Sequence, residues 1–300
     1  MIESLLLLSC RSPFLDDSKI YAPMANLYLK AYLNKHAPNV EVTLGDDDYD
    51  LSNLDKFEPY DAIGISVMTP QRQESLKILH AVKNAYPDKT MIVGGPHVKH
   101  YLDDVVREPW DFVVPLDGEK ALVQIVTNLD SPRIIKDVMS RVDIHNAPRP
   151  DRSSKNAVDI IRGYHYKLGD RQATTMMTAR GCPEQCTFCE DAMTPVKWSS
   201  LDNLKGEMDD IKAMGYTACY IFDDLFALAL PAIKPICNAL KERDLKYRCN
   251  AQARYFTKYG KDGQDMARLL SDTGCYEIAF GAESGNAIIL ENIKKRTSVE

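Results

Sequence analysis

The chain has 300 residues, a length that suggests about two domains, and 45% of its residues are apolar, which is enough for sizeable cores. Its formal net charge of −6 argues against a nucleic-acid-binding surface as the main feature, so no nucleic-acid partner is expected. No apolar run approaches the ~20 residues of a membrane span, and the first residues lack the flank of a secretory signal. Eight cysteines without such a signal favour a reducing compartment, and we expect a cytoplasmic protein.

The first 130 residues alternate between short apolar runs and segments whose apolar residues recur at helical spacing. The runs predict buried strands and the segments between them predict helices. The predicted strands cover 5–9, 40–44, 62–67, 90–93 and 112–115, and the predicted helices cover 22–34, 71–86 and 119–128. This alternation indicates an α/β fold with a parallel sheet covered on both faces, in which ligands bind beyond the carboxyl ends of the strands.

Several residues just beyond these strands are candidates for a ligand site. Hydroxyl groups follow the third strand, and two glycines after the fourth are expected to leave the backbone bare for a bulky ligand. Each candidate also has an ordinary explanation: Glu119 suits the dipole of a helix start, and His97 suits a loop. The candidates are Ser66, Thr69, Gly94, Gly95, His97, Gly118 and Glu119.

The rest of the chain divides into a turn-rich connector over 131–170 and a second domain over 171–300, after a first domain over 1–130. Predicted strands at 173–179, 217–222, 246–253 and 276–280 are each followed by a loop and a helix, so we count four βα units. Functional residues of such units lie at the carboxyl ends of strands. The polar residues there are Asp223, Asp224, Arg254, Glu283 and Ser284, although a helix cap, a surface arginine and a polar turn would also explain them.

Three cysteines follow the first strand of the second domain at the spacing Cys-x3-Cys-x2-Cys. They are Cys182, Cys186 and Cys189. Three thiolates this close in sequence cannot all point into a core, but a looped backbone can direct them towards one metal centre. Because iron–sulfur clusters are usually held by four thiolates, we predict a 4Fe-4S cluster with one iron open to a ligand that is not protein.

Two other interpretations of these cysteines remain open. A structural zinc would need a fourth ligand nearby, but the next cysteine is Cys219 and no histidine precedes it after Cys182. Disulfides would need an oxidising compartment. Most of the five remaining cysteines are expected to be small buried apolar residues.

The run Arg-Gly-Cys-Pro-x2-Cys-x-Phe-Cys, which ends at Cys189, resembles the cluster motif of the radical S-adenosylmethionine enzymes. The resemblance implies a partial TIM-type barrel, and an open iron at which S-adenosylmethionine is cleaved to a 5′-deoxyadenosyl radical. The Asp-Asp pair stands where many relatives carry Gly-Gly-Glu, so which carboxylate acts is left open. The resemblance implies that Phe188 contacts the adenine and that Asp223 or Asp224 binds the methionine ammonium group. It also implies that Arg254 binds the methionine carboxylate and that Glu283 and Ser284 bind the ribose hydroxyls.

Residues 3–130 resemble the flavodoxin-like, Rossmann-like cobalamin-binding domain that precedes the radical barrel in one large group of these enzymes. The matching pieces are Ile63-Gly64-Ile65-Ser66, Val93-Gly94-Gly95-Pro96-His97-Val98 and Asp117-Gly118-Glu119. The signature Asp-x-His-x-x-Gly is missing, so the resemblance implies cobalamin without a histidine on cobalt. The residue below cobalt would then be Met68, Thr69 or Pro70.

This double resemblance implies a cobalamin-dependent methyltransferase that acts on an unactivated carbon or phosphorus centre. It implies a small-molecule or peptide substrate and an electron donor such as flavodoxin or ferredoxin. The alternatives are a radical cyclase or rearrangement enzyme that does not use cobalamin for methylation, and a non-catalytic iron–sulfur subunit. Since relatives continue beyond four βα units, we expect a barrel that is truncated at residue 300.

Overall fold

The computed structural model describes residues 2–46, 49, 51–135, 143–257 and 260–299. By their internal contacts the residues form two compact units. The first contains Met1–Asp143 and Ala147–Tyr164, and the second contains Ile144–Asn146 and His165–Glu300.

The first unit contains five strands and six helices among its described residues. The strands are β1 (Ser4–Ser9), β2 (Glu41–Gly45), β3 (Ala62–Ser66), β4 (Thr90–Gly94) and β5 (Phe112–Val114). The helices are α1 (Met24–His36), α2 (Arg72–Ala85), α3 (Pro96–His100), α4 (Leu102–Val105), α5 (Gly118–Thr127) and α6 (Lys155–Arg162), with short 3₁₀ helices over Leu54–Phe57 and Thr69–Gln71.

The five strands form one parallel sheet in the order β2-β1-β3-β4-β5. This is the flavodoxin-like order. Leu6 and Leu8 belong to a buried cluster that includes Leu79 of α2, while Leu5 and Leu7 are equally buried. Because successive side chains of a strand point to opposite faces, β1 is covered on both sides, as the unbroken apolar run predicts.

One helix of the first unit lies in the segment predicted as a connector. Ser154 caps α6, since its hydroxyl accepts a hydrogen bond from the Ala157 amide at 3.4 Å. The side chain of Asn156 accepts from the Leu44 amide at 2.8 Å and donates to the Leu44 carbonyl at 3.1 Å, which fastens α6 to β2. Residues 136–142 of the same segment lie outside the described residues.

The second unit contains seven strands and five helices among its described residues. The strands are β6 (Lys167–Leu168), β7 (Arg171–Met176), β8 (Ala179–Arg180), β9 (Lys197–Trp198), β10 (Ala218–Ile221), β11 (Lys246–Ala251) and β12 (Cys275–Phe280). The helices are α7 (Leu201–Ala213), α8 (Leu230–Glu242), α9 (Arg254–Thr257), α10 (Lys261–Asp272) and α11 (Ala287–Asn292).

The main sheet of this unit has the order β12-β11-β10-β7-β6. Strands β7, β10, β11 and β12 run parallel, and the two-residue strand β6 joins β7 antiparallel at one edge. Tyr247 of β11 is buried against α8, where its hydroxyl lies 3.4 Å from the Cys237 sulfur. The sequence predicts four parallel βα units in a partial TIM-type sheet. The four parallel strands confirm this part of the α/β prediction.

Candidate cofactor-binding sites

The order of strands in the first unit creates a switch point between β1 and β3. Chains of this kind bind ligands beyond the carboxyl ends of the strands at that point. Gln71 spans it: its amide nitrogen donates to the Cys10 carbonyl at 2.6 Å, and its amide oxygen accepts from the Met68 amide at 3.0 Å. Sequence reasoning missed Gln71, because only the strand order shows that it joins the ends of two neighbouring strands.

The turn after β3 presents three of the predicted cobalamin contacts to solvent. Met68 is 57% exposed, and Thr69 and Pro70 are also exposed at the start of a 3₁₀ helix. Ser66, the last residue of β3, is half-buried. The exposed residues are therefore available to a ligand above the edge of the sheet.

Gly95 has a structural reason that differs from the predicted one. Its φ angle is 98°, and a Cβ atom there would lie 2.7 Å from the Val67 nitrogen. The Val67 amide donates to the Gly94 carbonyl at 2.8 Å, so the two turns meet backbone to backbone. The expectation that Gly95 leaves open space for a ligand is therefore wrong. At Gly94 an added Cβ would make only ordinary contact, at 3.4 Å from the Val114 carbonyl oxygen.

His97 is a buried helix residue rather than the exposed loop residue of the ordinary explanation. It lies in the first turn of α3 and is 4% exposed. Its Nδ1 atom is 3.3 Å from the Thr69 hydroxyl, and its ring stacks on Tyr101 with centroids 4.9 Å apart. Burial lowers the pKa of His97, which favours the neutral imidazole. The residue supports the turn that carries Thr69.

Gly118 and Glu119 form the first turn of α5, and Glu119 is buried. A Cβ atom on Gly118 would lie 3.0 Å from Leu29 of α1, so the glycine allows close packing of the two helices. Exposed apolar side chains accompany this turn at the same edge of the sheet: Phe14 follows β1, and Leu116 follows β5. In the loop after β1, Phe14 and Leu15 are adjacent exposed apolar residues, and the sequence analysis did not single them out.

The three predicted cluster cysteines lie in the second unit, on the loop after β8. Cys182 and Cys186 are buried, Cys189 is exposed, and all three are free thiols. The Thr194 hydroxyl accepts from the Cys182 amide at 2.9 Å, and the Thr194 amide donates to the Cys182 carbonyl at 2.9 Å. Burial raises the pKa of the Cys182 thiol to about 11. Without an electron-withdrawing metal the thiol therefore holds its proton at neutral pH.

Asp223 and Asp224, after β10, hold the turn that leads into this loop. Asp223 is 2% exposed and accepts hydrogen bonds from both the amide and the hydroxyl of Thr178. Burial raises its pKa to about 7. Asp224 is exposed, and one of its oxygens accepts from the Gly181 amide at 3.1 Å. The two neighbours therefore differ in access: only Asp224 faces solvent.

Arg254 is joined to the cluster loop by a buried ion pair with Glu184. The hydroxyl of Tyr255 donates to the same carboxylate at 2.6 Å, and Arg254 donates to that hydroxyl at 2.9 Å. The second Glu184 oxygen and the Arg254 Nε are buried without a hydrogen-bond partner. Sequence reasoning placed Arg254 at the site but missed Glu184, because the two residues are brought together only by the fold.

The remaining predicted contacts follow the first and last parallel strands. Phe188, inside the cluster loop, is 59% exposed. Glu283 has a φ angle of 63° and accepts from Lys295 at 3.1 Å, and the next residue, Ser284, is half-buried. These residues lie beyond the carboxyl ends of β7 and β12, the end at which ligands bind in barrels of βα units.

No three His, Cys, Asp or Glu side chains of the described ranges are arranged around a single metal ion. The donor chemistry nevertheless suits an iron–sulfur cluster. One loop supplies three free thiols, each of which could bind one iron of such a cluster, and nearby carboxylates already have protein partners. The exposed Cys189 leaves the outer side of the loop accessible to a further ligand.

A family model for the B12 binding domain matches residues 19–126. Those residues contain α1 to α4, β2 to β5 and all of α5 except its last residue, while β1 precedes the match. The chain also aligns with the cobalamin-dependent S-adenosylmethionine radical enzyme OxsB with aqua-cobalamin bound, over 98% of this chain and 46% of that one, at 20% identity and a TM-score of 0.78. The chain has the fold of the cobalamin-dependent radical S-adenosylmethionine enzymes.

A second solved structure supports the same fold. The radical S-adenosylmethionine methyltransferase TsrM from Kitasatospora setae, with cobalamin and a 4Fe-4S cluster bound, aligns with 100% of this chain and 65% of its own, at 16% identity and a TM-score of 0.73. The B12-binding fold and the parallel sheet of the second unit are thus found together in both proteins.

Sequence relatives carry two kinds of name. An uncharacterised methyltransferase of Pyrococcus horikoshii is 26% identical over 259 residues, which are 81% of this chain and 55% of the relative. The anaerobic magnesium-protoporphyrin IX monomethyl ester cyclase of Rubrivivax gelatinosus is 22% identical over 269 residues, 80% of this chain and 47% of the relative. The chain thus spans about half the length of these relatives. Within the described residues, no helix combines the length and apolar character that crossing a membrane requires.

Proposed function

We propose that the protein is a cobalamin-dependent radical S-adenosylmethionine methyltransferase that acts on an unactivated carbon or phosphorus centre. The observation that carries the proposal is the loop of three free cysteines beyond β8, in a chain that also contains a B12-binding fold. When bound, a 4Fe-4S cluster would supply the electron that cleaves S-adenosylmethionine, and cobalamin would carry the methyl group. The protein binds and orients these groups and excludes competing reactions.

Cys182, Cys186 and Cys189 are proposed to hold three irons of the cluster. The turn before them is fixed from two sides: Asp223 binds Thr178, and Asp224 binds the Gly181 amide. Gly181 has a φ of 102°, and a Cβ there would lie 2.4 Å from the Pro195 carbonyl oxygen. The turn that leads into the loop is therefore fixed by contacts within the protein itself.

Asp224 is proposed to bind the methionine ammonium group. A carboxylate suits an ammonium, and Asp224 is exposed while Asp223 is buried with both oxygens hydrogen-bonded. Arg254 is proposed to bind the methionine carboxylate. Its Nε is buried without a partner, so the guanidinium keeps a donor while another of its nitrogens is paired with Glu184.

Phe188 is proposed to lie against the adenine, since its exposed ring offers a flat apolar face. Glu283 and Ser284 are proposed to accept from the ribose hydroxyls. One side of the Glu283 carboxylate is already fixed by Lys295, and its side chain is still one-third exposed. The roles of Phe188, Glu283 and Ser284 are supported by the resemblance to the radical S-adenosylmethionine enzymes.

Cobalamin is proposed to lie at the switch point of the first unit. Met68, Thr69 and Pro70 are exposed there, together with the apolar side chain of Phe14, and could face cobalt or the corrin edge. His97 is buried beneath Thr69, so we propose that no histidine binds cobalt. Gly94, Gly95, Gly118 and Glu119 shape this edge by packing within the protein.

A radical cyclisation is the second candidate function. It is favoured by the similarity to the magnesium-protoporphyrin IX monomethyl ester cyclase of Rubrivivax gelatinosus, at 22% identity. The substrate, a small molecule or a peptide, and the electron donor, of the flavodoxin or ferredoxin class, are part of the proposal for either reaction.

Anaerobic reconstitution with iron, sulfide and hydroxocobalamin tests the function. We expect an iron–sulfur shoulder and corrin bands in the visible spectrum, and 5′-deoxyadenosine after addition of dithionite and S-adenosylmethionine. The cob(II)alamin form should show no nitrogen superhyperfine splitting on cobalt, and His97→Ala should retain the corrin bands. A cluster without corrin binding would favour the second candidate, and a nitrogen splitting would contradict the histidine-free site.

A further inference from the structure

Lys295 is a buried cation on the segment that contacts the cluster loop, and the proposed function uses it only as the partner of Glu283. Its side chain is only 7% exposed, and its ammonium group donates to the Glu283 carboxylate at 3.1 Å. Burying a lysine is unfavourable unless its charge is compensated. The compensating carboxylate is Glu283, whose own side chain is one-third exposed.

Backbone geometry fixes the position of this ion pair. A Cβ atom on Gly281 would lie 2.8 Å from the Lys295 ammonium and 2.6 Å from a Glu283 carboxylate oxygen. The pair therefore packs directly on the bare backbone of Gly281, just beyond β12. The Lys295 amide also donates to the Leu290 carbonyl at 2.9 Å, which ties the residue to the end of α11.

The same segment is attached to the cluster loop. The Thr187 amide donates to the Ile293 carbonyl at 3.0 Å. Thr187 follows Cys186 directly, and Ile293 lies two residues before Lys295, so this bond joins the two segments. From this position the charge of Lys295 acts electrostatically on the Cys186 sulfur, as does the opposite charge of the Glu184 carboxylate. Glu184 also acts on Cys182, where Asp224 is the second nearby carboxylate.

We propose that the positive charge of Lys295 raises the reduction potential of the cluster held by Cys186. The negative charge of Glu283 makes this increase smaller. The inference rests on the proposed function, since it requires the cluster. One-electron reduction would add negative charge to a cluster held by these cysteines, and the buried positive charge of Lys295 would stabilise it. The Glu283 carboxylate opposes this stabilisation. A ligand that binds Glu283 would therefore change the reduction potential of the cluster by changing the charge beside Lys295.

The test is a redox titration of the reconstituted full chain with dithionite and dye mediators, followed by electron paramagnetic resonance and iron analysis, without S-adenosylmethionine. In Lys295→Met the ratio of reduced to oxidised cluster at a fixed potential should fall about tenfold, which is about 59 mV for one electron. Lys295→Arg should restore most of the ratio. Glu283→Gln should change it in the opposite direction.

Lys294→Met is the matched control, because it removes the same charge from the exposed neighbouring side chain. It should leave the midpoint unchanged. An unchanged midpoint in both Lys295→Met and Glu283→Gln, with full iron content, would overturn the role of Lys295 and leave the proposed function intact. Shifts of the same sign in both variants would also overturn it. If the wild-type chain takes up no cluster at all, the proposed function itself fails.

Discussion

Asp223 and Asp224 are adjacent carboxylates with opposite surroundings. Thr178 donates two hydrogen bonds to the buried Asp223, while Asp224 is exposed and accepts from the Gly181 amide. Both residues follow β10, which ends at Ile221, but Asp223 is buried against Thr178 while Asp224 is exposed to solvent. A sequence can show that two carboxylates follow a strand, but only their burial separates the ligand-binding role from the supporting role.

Replacement of Asp224 by Asn should weaken S-adenosylmethionine binding about tenfold or more without loss of iron, because a charge-assisted hydrogen bond to the ammonium is lost. Equilibrium binding to the reconstituted protein, at equal iron content, measures the effect. Asp272→Asn, an exposed carboxylate in the last turn of α10, is the control and should bind as wild type. Wild-type affinity in Asp224→Asn would assign the ammonium to another group.

The raised pKa of Asp223 predicts a pH dependence of stability. Burial raises this pKa from 3.8 to about 7, so the folded chain holds a proton that the unfolded chain has released. The contribution of Asp223 to the free energy of unfolding is therefore fully present below about pH 4 and is lost as the pH rises towards 7. Asp223→Asn cannot titrate and keeps an acceptor for the Thr178 amide.

Melting temperatures of the cluster-free wild type and Asp223→Asn at pH 4.5 and pH 7.5 check this expectation. The melting temperature of Asp223→Asn, compared with that of wild type, should be higher at pH 7.5 than at pH 4.5. A difference between the two proteins that does not change with pH would show that Asp223 has an ordinary pKa in the folded state.

At the scale of elements, the approach of β3 to β4 depends on Gly95. Its positive φ and the 2.7 Å distance from an added Cβ to the Val67 nitrogen leave no room for a side chain. Gly95→Ala should therefore lower the free energy of unfolding by about 2 kcal/mol or more, since backbone strain and a clash with backbone add together. Gly94→Ala makes only ordinary contact and is the matched control.

Urea denaturation of both variants, followed by circular dichroism, measures the difference. If Gly95→Ala is as stable as Gly94→Ala, the two turns are free to move apart. This expectation replaces the simpler idea that a side chain at Gly95 would only fill a ligand cavity.

Many of the elements could be predicted because their strands are short apolar runs, as in β1, β3, β4 and β5. β7 and β11 instead carry several polar residues. α6 was not predicted, although Ser154 is a recognisable cap, since the surrounding residues favour turns. The Glu184–Arg254 pair and the bond from Gln71 to Cys10 could not be predicted. They join residues distant in sequence, and only the order of strands brings them together.

At the scale of the whole molecule, the chain joins a B12-binding fold to a second unit whose parallel sheet carries three free cysteines on one loop. It spans 55% and 47% of the length of the two sequence relatives described above. What the fold does explain is why the polar residues gather beyond the strands. In parallel sheets that end is where loops are free to vary and to bind ligands.

The central claim is that three cysteines hold a cluster with one iron open to S-adenosylmethionine. It is tested most directly by the electron paramagnetic resonance spectrum of the reconstituted, dithionite-reduced protein, recorded with and without S-adenosylmethionine alongside iron analysis. We predict a 4Fe-4S signal that changes when S-adenosylmethionine is added, and loss of most iron when Cys182, Cys186 or Cys189 is replaced singly by Ala, whereas Cys219→Ala keeps it. Full iron content in two of the three variants, or a signal that ignores S-adenosylmethionine, would contradict the claim.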